Sequence, residues 1–182
     1  MMAMIISITL TVLFLALKKD SVAKGYVGWS ILFVMYLSIL LVDVVGFTSI
    51  SQLSQLSQRV GTIVNPSIIW IPFSQGFDIS SALNILVFIP FGMALVVMWR
   101  VFQSAMQTFL VGLSFSLLIE IGQIFTMYRQ TDVNDLLMNT LGVMIGWMIG
   151  KYILKWRIQR NDGKNVDWLV YLLISVCCAF IF

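Results

Sequence analysis

The sequence has no histidine, and only 10% of its residues are charged. Without histidine it lacks the commonest general base, the usual zinc ligand and the side chain that titrates near neutrality. The shortage of charge excludes a water-soluble globule, in which about a quarter of residues are charged. There are two cysteines, Cys177 and Cys178, adjacent in one apolar run. Thiols in apolar surroundings are unreactive, so both read as small apolar residues facing lipid. No basic patch interleaved with aromatics points to nucleic acid. No glycine-rich phosphate loop or other cofactor motif occurs, so neither a cofactor nor a metal is expected.

Hydrophobic residues make up 60% of the 182-residue chain. They fall in runs of about 15–20 residues, the length an α-helix needs to cross a bilayer. The pattern predicts an all-α fold: a polytopic transmembrane helix bundle of five to six spans, forming one membrane domain over residues 1–182. The runs lie at about 1–17, 26–47, 82–99, 105–127, 136–154 and 168–182; the first and last are short, so one could be re-entrant. Met1–Leu17 is followed, not preceded, by Lys18, Lys19 and Lys24, the reverse of a secretory signal peptide. Between the second and third runs, Ile50, Leu53, Leu56 and Val60 recur at near-helical spacing among Ser-Gln pairs. That predicts a short helix lying in the membrane interface. Pro66, Trp70 and Pro72-Phe73 then read as a stiff aromatic anchor at headgroup depth, and Pro90 and Gly92 are expected to bend the third span.

Nine basic residues occupy the odd-numbered connections (Lys18, Lys19, Lys24, Arg100, Lys151, Lys155, Arg157, Arg160, Lys164) against Arg59 and Arg129 in the even ones. The positive-inside rule then puts the odd connections in the cytoplasm and both termini outside. In that topology the intramembrane polar residues collect in the outer half. Asp43 closes the second span, Asn84 begins the third, and Glu120 and Gln123 lie in the fourth. Arg129, Asp132, Asp135 and Asn139 form the outward turn and the start of the fifth.

Glu120 is the sharpest of these. A carboxyl flanked by Leu117, Leu118, Ile119 and Ile121 costs about 2.5–3.5 kcal/mol to insert and is expected to face the bundle interior with a partner. Gly112, Ser116 and Glu120 share one helix face, and Asn139, Gly142, Gly146 and Gly150 form a small-residue series suited to close packing. Asp132 and Asp135 can cap the fifth span, where carboxylates favour the N-terminal dipole. Arg129 can pair with either aspartate or bind an anionic headgroup.

The ordered set Asn84-x5-Pro90-x-Gly92, Ser116-x3-Glu120-x2-Gln123 and Arg129-x2-Asp132-x2-Asp135-x3-Asn139-x2-Gly142 resembles the VanZ-like membrane protein family. The match runs from about Ile71 to Gly150, with Ile71-Pro72-Phe73 resembling the family's Pro-Phe motif. The resemblance implies a multi-pass protein of the bacterial cytoplasmic membrane contributing to glycopeptide (teicoplanin) resistance. The outward polar cluster beside an aromatic loop suits a ligand-binding site for a membrane lipid or lipid-linked envelope precursor, or a lipoglycopeptide antibiotic. Its residues would be Asn84, Glu120, Gln123, Arg129, Asp132, Asp135 and Asn139. The alternative is an intramembrane enzyme acting on a lipid-linked substrate, with Glu120 as general base and Asp132 and Asp135 as further candidate catalytic residues, able to hold a divalent cation. A lipid transporter ranks third, because the hydropathy shows no inverted repeat.

Overall fold

The computed structural model describes residues 1–18, 24–62, 64, 68–72, 76, 79–126, 130–153 and 166–182. The fold is all-α. Among the described residues six apolar helices form the bundle: α1 (Met2–Leu17), α2 (Lys24–Ile39), α4 (Ile79–Met98), α5 (Ala105–Gln123), α6 (Val133–Met148) and α7 (Asp167–Ile181). A seventh, amphipathic helix, α3 (Ile50–Val60), lies in the second connection. Single π-helical turns, Leu40–Val44 and Ile149–Ile153, extend α2 and α6. With these turns, residues 25–44 and 133–153 are long and apolar enough to cross a membrane, as is α5. Met2–Leu17, Ala82–Met98 and Asp167–Ile181 are shorter apolar helices.

α4 and α6 pack backbone to backbone, and glycine permits it. A Cβ on Gly142 would stand 2.3 Å from the Ile85 carbonyl oxygen, and one on Gly146 would stand 2.1 Å from that of Ile89. Gly92 returns the contact from α4, at 2.0 Å from the Val143 carbonyl oxygen. Lipid tails are as apolar as the side chains, so close packing and interhelical hydrogen bonds hold such helices together. Aromatic rings fill the centre: Phe91 stacks on Phe115 at 4.9 Å, and Phe33 meets Trp99 edge-on at 5.4 Å. On α1, Ala3, Ser7, Thr11 and Leu15 are buried at four-residue intervals. α4 runs through Pro90 as one helix, and Tyr36 donates its hydroxyl to the Val87 carbonyl in the turn before that proline.

The amphipathic helix α3 starts as its sequence dictates. Ser49 accepts the Gln52 backbone N–H while the Gln52 side chain accepts that of Ser49, and Gly61 closes the helix in the left-handed region. Leu56 is buried, whereas Ile50, expected on the apolar face, is exposed. Trp70 is exposed; Pro66 and Phe73 lie outside the described residues. The two cysteines divide: Cys177 is exposed, but Cys178 faces the bundle interior, because consecutive helical positions point about 100° apart.

Candidate functional site at one end of the bundle

The end of the bundle where α5 stops and α6 starts holds most of the polar residues singled out in the sequence. A two-residue parallel pairing ties the chain there: Ile68 and Ile69 (β1) run beside Thr131 and Asp132 (β2). Asp132 is the N-cap of α6, its carboxylate accepting the Asn134 backbone N–H at 2.8 Å. The Asp132 backbone N–H donates to Glu120 Oε2 at 3.0 Å, and the Thr131 hydroxyl donates to the Glu120 carbonyl at 3.2 Å. Glu120 thus faces the bundle interior with a partner, and that partner is the start of α6.

The other residues form inter-helix bonds. Asn84 on α4 donates to Asp135 on α6 at 2.6 Å. Asn139 donates to Ser116 on α5 at 3.0 Å, and Gln123 donates to the Val45 carbonyl beyond α2 at 2.8 Å. Glu120, Gln123 and Asn139 are buried, and each keeps one oxygen without a partner: Glu120 Oε1, Gln123 Oε1 and Asn139 Oδ1. Asp43 is not part of this group; it is exposed on the π-helical turn of α2 and lines a cavity of about 330 Å³ with Met4 and Ser38. Arg129 lies outside the described residues.

Two features escaped sequence reasoning. One is an apolar groove of about 320 Å³ on the outer face of α5, lined by Leu118 and Gly122 of that helix, Phe125 just beyond its end, Phe47, Leu53 of α3 and Phe180 of α7. Leu118 and Gly122 lie about 160–200° around α5 from Glu120 at 100° per residue, so groove and polar cluster stand back to back. The polar cluster and the apolar groove thus occupy different faces of one helix. Nothing in an apolar run marks which residues leave a gap; Leu53 of α3 and Phe180 of α7 line it opposite α5.

The second is a buried polar network at the opposite end, where the sequence suggested little. Asp167 opens α7 almost fully buried, forms an ion pair with Lys18 and accepts the Tyr26 hydroxyl at 3.0 Å. Trp99 donates to the Tyr26 oxygen at 3.2 Å, and Tyr171 to Ser30 at 3.0 Å. The signal was an acid at the first turn of an apolar run and a lysine at the end of another. Charge counting assigned Lys18 to topology alone.

Six apolar helices, an amphipathic helix at one end and polar side chains spent on inter-helix bonds define a polytopic helical membrane protein. The chain belongs to the VanZ/LLP1 family, whose model matches residues 4–155. The match reaches beyond the stretch that carries the sequence motifs, taking in α1 to α3, and leaves α7 outside. No curated protein and no solved structure matches the chain.

Proposed function

We propose that this protein binds a membrane lipid or lipid-linked envelope ligand by its acyl chain, at the outer leaflet of the bacterial cytoplasmic membrane. In the cell it would thereby contribute to glycopeptide resistance of the teicoplanin type. The observation that carries this reading is the α5 groove. Its lining is apolar, its roof is the interfacial helix α3, and its volume suits a chain segment and not a water cluster. The Ser-Gln face of α3, with Ser51, Ser54 and Gln58 exposed, meets the headgroup layer where the polar end of such a ligand would lie. The nine-to-two distribution of basic residues supports placing this end outside.

Leu118→Trp tests the proposal, since the indole would occupy the groove from a lipid-facing position. Native mass spectrometry of the purified wild type is expected to show a retained lipid that the variant lacks. Cells expressing the variant are expected to lose protection against teicoplanin, which carries an acyl chain, with no change towards vancomycin. Equal lipid retention by both proteins would end this reading.

The second reading, an enzyme using Glu120 as general base on a lipid-linked substrate, is favoured by the unpartnered, buried Glu120 Oε1. It ranks lower because the groove opens on the far side of α5. Asp132 engages Asn134 with both carboxylate oxygens, and Asp135 accepts from Asn84 with Oδ1.

A further inference from the structure

The strip of α5 that faces away from the groove carries an anomaly of its own. Ser116, Glu120 and Gln123 succeed one another at four- and three-residue intervals, covering about 10 Å of one helix face. Asn139 of α6 meets the strip at Ser116. Three oxygens along it, Asn139 Oδ1, Glu120 Oε1 and Gln123 Oε1, are buried without a partner, whereas buried polar atoms are nearly always bonded.

The orientation of Gln123 is fixed. Turning its amide over would set Oε1 against the Val45 carbonyl, which can only accept, in place of the 2.8 Å bond from Nε2. Glu120 Oε2 is already held by the Asp132 N–H, so Oε1 is the carboxyl oxygen left over. The two residues are i, i+3 neighbours, with side chains about 5–6 Å apart at Cβ. Both lie in the last turn of α5, where the helix dipole presents its negative end. Oxygens without donors, one of them on a carboxyl group, beside a negative helix end favour positive charge.

We propose that the last turn of α5 binds a small monovalent cation through Glu120 Oε1 and Gln123 Oε1, with Asn139 Oδ1 joined to it through water. Oxygen-only ligands suit a hard cation. One carboxylate among neutral amide oxygens balances a single charge, whereas divalent ions of this class take more oxygens and more anionic charge. The ion would lock α5 to the start of α6 and to the segment after α2, leaving the groove on the other face independent of it.

The test is the thermal unfolding midpoint of the full-length protein in detergent, in sodium, potassium or N-methylglucamine chloride at constant ionic strength. The midpoint is expected to rise saturably with one of the small cations and not with N-methylglucamine. Glu120→Gln, which keeps an oxygen for the Asp132 N–H, is expected to weaken the apparent affinity at least tenfold. If that variant does not accumulate, Gln123→Met carries the same expectation. Leu118→Trp in the groove should leave the ion response unchanged, so failure of the ion site and failure of the lipid groove are read separately. Equal midpoints in all three salts would overturn the proposal and assign the oxygens to buried water. So would a cation effect that survives in the Glu120 or Gln123 variant.

Discussion

Asp167 is almost wholly shielded, and its charge is balanced by Lys18, which is itself 28% exposed. Removing one member of a buried pair leaves an uncompensated charge, a loss of about 3–5 kcal/mol when both are fully buried. The partial exposure of Lys18 lowers the expectation, so Lys18→Met should cost about 2 kcal/mol, measured by denaturant unfolding in detergent. Lys18→Met with Asp167→Leu should recover most of that loss. A double variant no more stable than the single would show that Tyr26 and its neighbours, and not the ion pair, fix the start of α7. At the same scale, the glycines divide by their surroundings. A Cβ on Gly28 would meet nothing within 4 Å, while one on Gly146 would run into the backbone of α4. Gly28→Ala should therefore stabilise α2 by about 0.5–1 kcal/mol through helix propensity. Gly146→Ala should lower the unfolding midpoint, because a carbonyl on the neighbouring helix cannot swing aside as a side chain can.

Among the elements, α3 is fixed at its start by local chemistry. Its capping box is closed by Ser49 and Gln52, and the Thr48 hydroxyl donates to the Gly122 carbonyl of α5, which docks the start of α3 beside the groove. Ser49→Ala removes the side-chain acceptor and should cost about 1 kcal/mol. The loss should appear as faster amide exchange over residues 50–54, with the exchange of α4 and α6 unchanged. If α3 is the roof of the lipid groove, the same variant should also retain less lipid. α7 contributes from the opposite wall. Phe180→Ala should widen the groove and shift the retained lipids towards bulkier or branched chains, an outcome visible in the masses that copurify.

On the scale of the whole molecule, charge counting leads to an orientation that labelling can check. In a background with Cys177 and Cys178 replaced by alanine, a single cysteine at Ser54, exposed on α3, should react with a membrane-impermeant maleimide in intact cells. A single cysteine at Lys155 should react only after the membrane is opened. The reverse pattern would turn the groove towards the cytoplasm and remove the outer-leaflet reading of function. The two ends of the bundle are built differently. One is knotted by an ion pair and aromatic hydroxyls, the other by carboxyl and amide bonds that leave oxygens over.

The bundle itself was legible in the residues. Apolar runs of bilayer length leave a backbone no choice but helix, since hydrocarbon offers no hydrogen-bond partner. The glycine series of α6 announced close packing, and Ser49 with Gln52 marked where α3 begins. The polar motif residues could be expected to converge because each is costly in lipid unless it meets another. Their pairings were a different matter: that Glu120 meets the Asp132 backbone, that Asn84 meets Asp135 and that Lys18 reaches Asp167 across 149 positions. These depend on how six helices rotate against one another. Spacing puts the groove residues and the polar strip on opposite faces of α5, and rotation decides what each of those faces meets. Periodicity shows that a helix has two faces; only its neighbours decide what each face meets.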